Sequence, residues 1–219
     1  MVFEDRTDAG RKLAEKLSRY ANRSDAVVLG IPRGGVLVAL EVATCLSVPL
    51  DVFLLRKLGV PGQEELAFGA IASGGTRVLD QETIEALSIS EQEIEQVTDS
   101  ERAELERREN LYRSGRSALN VKDKAVILVD DGIATGSSMR AGIHALWQLQ
   151  PKRIVVAVPM APQKTCSVLM NEVDELVCVQ TPPFFYAIGQ FYEHFEQVSD
   201  VEVLAALEQA NQAVLKKAV

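Results

Sequence analysis

The feature that most restricts how this chain can fold is a repeated alternation. Short aliphatic runs recur at Ala26–Gly30, Val52–Leu55, Phe68–Ala72, Val126–Val129, Ile154–Val158 and Leu176–Val179. Between and around them lie helical patterns at Asp8–Arg19, Val36–Cys45, Ser137–Leu149, Gln163–Glu172 and Val201–Lys216. A strand with one wet face would alternate apolar and polar residues, so near-continuous apolar runs fit strands buried on both faces. Strands and helices in this order predict an α/β fold with a mostly parallel sheet flanked by helices. At 219 residues, 47% of them hydrophobic, the chain can bury such a core without disulfides or a structural metal. Cys45, Cys166 and Cys178 show no metal-type spacing and read as reduced thiols.

Two stretches break the rhythm. Gln81–Arg116 is densely charged and helical in propensity, with Ile94, Val97, Leu105 and Tyr112 as a sparse apolar stripe. It is expected to be a solvated helical insertion or flap, spanning about residues 81–120, and it could also support a homodimer. Thr181–Phe195 is rich in proline and aromatics, including Phe184, Phe185, Tyr186, Phe191 and Tyr192. Such a segment could plug the edge of the core or wall a pocket for a flat ligand.

Charge narrows the partners. With 23 basic and 31 acidic residues the net charge is −8, which argues against a nucleic-acid binder held by phosphate neutralisation. A small anion needs only a local positive site and stays within reach. The opening residues are studded with charge, unlike a secretory signal, and no apolar run approaches the ~18 residues of a membrane span. The expected location is cytoplasmic.

The chemistry concentrates in Ala125–Arg140. An apolar run ends in Asp130-Asp131, followed by Gly132-Ile133-Ala134 and then Thr135-Gly136-Ser137-Ser138 at a helix start. Open α/β sheets bind ligands at the carboxyl ends of their strands. Small hydroxyl residues and glycine at a helix start expose backbone N–H groups, add O–H donors and benefit from the helix dipole, as a monophosphate cradle requires. Adjacent carboxylates accept hydrogen bonds from paired hydroxyls. Acceptors for a diol beside donors for a phosphate describe a ribose 5-phosphate site. Taken separately, the Thr-Gly-Ser-Ser run could be an N-cap, and the acidic pair a strand-end turn or metal site.

Two further segments offer cations. Arg33-Gly34-Gly35 joins the first strand to a helix, where adjacent glycines let amides approach an anion. Arg56-Lys57 ends the second run with two positive charges.

The run Val129-Asp130-Asp131-Gly132-Ile133-Ala134-Thr135-Gly136 resembles the phosphoribosyl pyrophosphate (PRPP) motif of type I phosphoribosyltransferases. The resemblance covers roughly Ser24–Leu79 and Lys124–Gln180, and the layout is most similar to the bacterial group of predicted stand-alone phosphoribosyltransferases. It implies transfer of a phosphoribosyl group from Mg²⁺-loaded PRPP to a nitrogen nucleophile such as a nucleobase. It further implies that Asp130 and Asp131 hold the ribose hydroxyls and that Ala134, Thr135, Gly136, Ser137 and Ser138 hold the 5-phosphate. Arg33, Gly34 and Gly35 match the pyrophosphate loop, and Arg56 and Lys57 resemble the basic strand end that adenine-type members use on PRPP phosphates. Glu65–Gly69 resembles the strand after their catalytic loop, where Glu64 or Glu65 could act as an acid/base group. Phe184, Phe185 and Tyr186 are the acceptor-pocket candidates. Members acting on 6-oxopurines carry an aspartate where this chain has Ala134, so the resemblance leans to the adenine type. His144, His194 and Trp147 read as structural, the last as a core residue. Two other readings fit the same residues: a non-catalytic PRPP or nucleotide sensor on the same fold, and a Mg²⁺-dependent phosphotransfer or receiver-type domain using Asp130-Asp131.

Overall fold

A computed structural model describes residues 1–118 and 120–217. Five strands form a parallel sheet: β1 (Ala26–Gly30), β2 (Leu50–Val52), β6 (Ala125–Val129), β7 (Arg153–Met160) and β8 (Glu175–Gln180), in the order β2-β1-β6-β7-β8. Every residue of β1 and β6 is buried, as their unbroken apolar character requires. The pleat sends alternate side chains to two cores. Val28, Ile127, Val129 and Val155 join the face covered by α1 (Arg6–Lys16), α2 (Gly34–Leu46) and α7 (Asp200–Lys217). Val27, Leu29, Val126, Leu128 and Val156 join the face covered by α5 (Ser137–Gln148) and α6 (Gln163–Leu169). No helix of the described residues is long and apolar enough to cross a membrane.

The run Val52–Leu55, expected as one strand, is divided. Val52 ends β2, and Leu55 begins β3 (Leu55–Val60) in a second sheet. The apolar run is continuous because Phe53 and Leu54 stay buried while the chain changes sheets. The Phe53 N–H donates to the Gly30 carbonyl, and the Leu54 N–H donates to Ser73 Oγ. Strands β3, β4 (Gln63–Ala72) and β5 (Thr76–Leu79) then form a three-stranded antiparallel sheet.

The charged segment is helical, as α3 (Gln81–Ala86) and α4 (Glu91–Arg113), but α4 does not stand off in solvent. Ile94, Leu105 and Tyr112 are buried in the first core, and α4 packs against β3, β4 and α7. A sparse stripe, with Ile94, Leu105 and Tyr112 eleven and seven positions apart on one face, was enough to dock the helix, and its charges fill the remaining faces. Ser90 and Glu93 close a capping box at its start. Trp147 is another correction: it is exposed, with its indole N–H donating to the Glu172 carbonyl at 3.0 Å.

Candidate functional site

Strand order reverses between β1 and β6. The chain steps from β1 outward to β2, then returns to place β6 on the other side of β1. At such a switch point the two following loops diverge and leave a crevice at the carboxyl ends of the strands. Gly30 pairs in register with Val129, so the loop entering α2 and the loop entering α5 start level with each other.

Their closest approach is made at glycines. A Cβ on Gly35 would sit 2.8 Å from both Cα and Oδ1 of Asp130, and one on Gly34 would overlap the Asp131 carboxylate. The two positions therefore exclude any side chain for as long as the acidic pair stands where it does. The peptide between Pro32 and Arg33 is cis, and Arg33 itself is exposed at the mouth.

Asp130 and Asp131 follow β6 directly. The Asp131 N–H donates to Asp130 Oδ1 at 2.8 Å. Asp131 Oδ2 accepts from Arg6 Nε at 2.8 Å, and its backbone carbonyl accepts from the Tyr192 hydroxyl at 2.6 Å. Burial pushes the Asp130 carboxyl well above the usual carboxylate range, and the neighbouring Asp131 charge adds to the rise. Asp131 is raised by the same loss of solvent, with Arg6 working against it.

Beyond the pair, Ile133 N–H donates to the Met160 carbonyl, and the Ala134 carbonyl accepts from Thr165 Oγ1, so the loop is pinned at two points. Gly136 takes φ +84° as the N-cap of α5. A left-handed N-cap without a side-chain cap leaves first-turn N–H groups outside the helix ladder, and the Ser137 N–H turns to Thr135 Oγ1 at 3.5 Å. Thr135, Ser137 and Ser138 are exposed there, with the Thr135 and Ser137 hydroxyl oxygens 3.3 Å apart. Ser137 also borders a groove of about 510 Å³ that it shares with Arg140, His144 and Asp80.

The basic strand end is differently placed. Arg56 Nε donates to Glu101 Oε2 of α4 at 2.5 Å. Lys57 is exposed and lines a groove of about 490 Å³ between β3 and α4, with Gly59, Pro61, Glu93 and Gln96. The side chains of Glu64 and Glu65 lie outside the described residues.

The aromatic segment divides. Phe185 packs on Phe191 with centroids 5.1 Å apart, in a small core with Phe3, Met160 and Tyr192. Phe184 and Tyr186 are exposed at 73% and 86% and do not converge with it. His144 is exposed, with Nε2 3.3 Å from Glu172 Oε2. His194 is exposed and donates its backbone N–H to the Glu4 carbonyl. Residues that sequence reasoning did not reach are Arg6, Glu101 and Phe195. Arg6 meets Asp131 across 125 positions, and no local pattern marks such a pair.

The family model for the phosphoribosyl transferase domain matches residues 3–196. A Mycobacterium tuberculosis protein, found in two strains and provisionally named a phosphoribosyl transferase, is 42% identical over 210 residues. That match takes in 96% of this chain and 47% of the relative, so the chain spans about half the length of the curated relatives it matches. A crystal structure from Thermus thermophilus is 41% identical with a TM-score of 0.84, covering 95% of this chain and 99% of that one.

Proposed function

The chain belongs to the phosphoribosyltransferase family, and on that premise we propose that it transfers the 5-phosphoribosyl group of PRPP to a nitrogen nucleophile, a nucleobase, releasing pyrophosphate. The observation that carries this reading is the meeting of the Gly34-Gly35 turn with Asp130-Asp131, where a Cβ on either glycine would strike the acidic pair. It supports a pairing of the glycine turn, as anion binder, with the acidic pair, as diol acceptors, at the switch point of the sheet and beside the N-terminus of α5.

In this reading Asp130 and Asp131 accept hydrogen bonds from the ribose hydroxyls and stabilise the sugar as positive charge grows at its anomeric carbon. Their partial desolvation strengthens that interaction relative to water. Ala134, Thr135, Gly136, Ser137 and Ser138 hold the 5-phosphate through amides and hydroxyls. Arg33, Gly34 and Gly35 hold the departing pyrophosphate, joined by Arg56 and Lys57 when the 59–65 turn closes and excludes water. PRPP enters as its Mg²⁺ complex, in which the ion neutralises pyrophosphate charge. The oxygen donors at this end suit a hard ion carried on the substrate's own oxygens, and no side chain is assigned as its ligand. Rate enhancement comes chiefly from orienting the two reactants and stabilising the leaving group.

The acceptor is assigned to the 181–195 hood, where Phe184 and Tyr186 offer exposed rings and Phe185 anchors the segment to its small core. Ala134 has no proton to exchange with a 6-oxopurine, which favours an adenine-type base. A cytoplasmic setting and a homodimer complete the reading.

The test is pyrophosphate release from Mg²⁺-PRPP across a panel of purine and pyrimidine bases, with Asp130→Asn/Asp131→Asn as control. Release that requires one base and vanishes in the control supports the enzyme and names its acceptor. Control-sensitive PRPP binding without release from any base turns the reading toward a sensor. Absence of PRPP binding overturns both.

A further inference from the structure

Arg6 opens α1, far from the motif loops in sequence, yet it touches the acidic pair. Its Nε donates to Asp131 Oδ2 at 2.8 Å, and its NH1 group donates to the Glu196 carbonyl at 3.0 Å. The guanidinium lies over the Phe195 ring at 4.0 Å from its centroid, and Phe195 stacks on Tyr192 at 4.9 Å. Tyr192 returns to the pair through its hydroxyl on the Asp131 carbonyl. A Cβ on Gly34 would also come within 2.8 Å of Arg6 Nε, so Arg6, the glycine turn and Asp131 meet at one point. The Arg6 side chain is only 11% exposed.

The backbone on each side of Arg6 is fixed. Asp5 caps α1 by accepting from the Asp8 N–H at 2.8 Å. Before it, the Phe3 N–H donates to the Phe191 carbonyl, the Glu193 N–H to the Phe3 carbonyl, and the His194 N–H to the Glu4 carbonyl. A guanidinium held at its face and at two N–H groups can impose a direction on a carboxylate, which an ammonium on a flexible stem cannot do.

We infer that Arg6 is a positioning residue for Asp131, holding that carboxylate ionised and turned so that Oδ2 is occupied and Oδ1 is offered to a sugar hydroxyl, with Phe195 and Glu196 holding Arg6 in turn. The inference rests on the phosphoribosyl reading for its substrate and on geometry for its mechanism. A carboxylate that stabilises developing positive charge must be ionised, and its burial opposes that. The groups facing Asp131 are Asp130 on the same loop, Arg6 from α1 and the Tyr192 hydroxyl from the hood, with Asp5 and Glu202 as outer charges near Tyr192 and Arg6. Arg6 is the cation in contact with the carboxylate.

The experiment uses the full chain with Arg6→Gln, Arg6→Lys and Phe195→Leu. Two quantities are measured: Mg²⁺-PRPP affinity against pH, and the titration midpoint of the Asp131 side-chain carboxyl by ¹³C NMR without ligand. Arg6→Gln is expected to raise the midpoint by about one pH unit or more and to weaken PRPP binding roughly ten- to hundredfold. Arg6→Lys should restore most of the midpoint but only part of the affinity, because it returns charge without the fork. Phe195→Leu should fall between wild type and Arg6→Gln on both measures. An unchanged midpoint in a folded Arg6→Gln protein, or affinity within about twofold of wild type, overturns the inference. Should Arg6→Gln not fold, unchanged values in both Arg6→Lys and Phe195→Leu overturn it instead. A wild-type protein that binds no PRPP sinks the phosphoribosyl reading, while the Asp131 midpoint still decides whether Arg6 acts on that carboxylate.

Discussion

At the carboxyl end of the parallel sheet, Asp130 and Asp131 stand side by side with Arg6 as the cation in contact, and both carboxyls are pushed upward. Along α4 the same chemical groups behave oppositely. Arg102 pairs with Asp99, and Arg107 and Arg108 both reach Glu104, each three or four positions away on an open surface. There the shared guanidinium bonds draw the Glu104 carboxyl down to about 2. The helix has many more charges than the strand end, yet solvent and local partners neutralise their consequences. What distinguishes the two regions is solvent exclusion and placement, so a chemical role cannot be read from charge density alone.

The sharpest way to break this contrast is Asp130→Asn. If the half-buried pair does the chemistry, turnover falls about a thousandfold. The folded protein should nevertheless gain stability near neutral pH. The native carboxyl keeps its proton to higher pH than the unfolded one, so between the ordinary carboxylate range and the raised value the native state binds more protons. Stability contributed by that group therefore falls as pH rises through the window, and the asparagine variant escapes the loss. Thermal melts at pH 8 and pH 4 should show the variant's advantage at the higher pH; an equal or lower melting temperature at pH 8 contradicts the assignment.

The next largest effect concerns the other region. Leu105 is 3% exposed on α4, and Leu105→Ala should cost about 2–4 kcal/mol in denaturant unfolding. A cost under about 1 kcal/mol would mean that the helix is held loosely, as a solvated insertion would be. Smaller still is Glu101→Gln, which releases Arg56 from its contact across to α4. With both partners partly exposed, pyrophosphate affinity should tighten only about two- to fivefold, measured by calorimetry. Weaker pyrophosphate binding would show that Glu101 presents Arg56 to the ligand instead of withholding it. Glu104→Ala is the smallest perturbation and should leave the melting temperature within about 1 °C.

Much of the parallel sheet was legible because burial on both faces leaves a direct record in sequence. The runs at Ala26–Gly30 and Val126–Val129 are strands β1 and β6 nearly to the residue. The second sheet was not, although Pro61-Gly62 and Gly74-Gly75 mark its two turns, with Gly62, Gly74 and Gly75 all at positive φ. Apolar continuity through Phe53 and Leu54 masked the point where the chain leaves one sheet for another. Periodicity reports that a residue is buried, not which layer buries it. The charged helix shows the same limit from the other side, since four apolar positions in a stretch of glutamate and arginine suggested solvent where packing was sufficient. At the site, the segments contiguous in sequence could be found by spacing and the partners brought by folding could not. Asp130 through Ser138 lie in one run, whereas Arg6, Glu101 and Phe195 reach theirs through tertiary structure.

The bonds joining residues 3 and 4 to residues 191–194, and Arg6 to Glu196, connect segments as much as 190 positions apart. Such contacts have a consequence for biosynthesis. At roughly 5–20 residues per second, a ribosome needs on the order of 10–40 s to emit the second half of that clasp after the first. The parallel strands can assemble during that interval, but the acidic pair waits for its cation to be locked until residues 191–196 have emerged. A nascent chain arrested before residue 190 would carry the motif and lack the clasp, so the site becomes competent only once the second half of the clasp has been made.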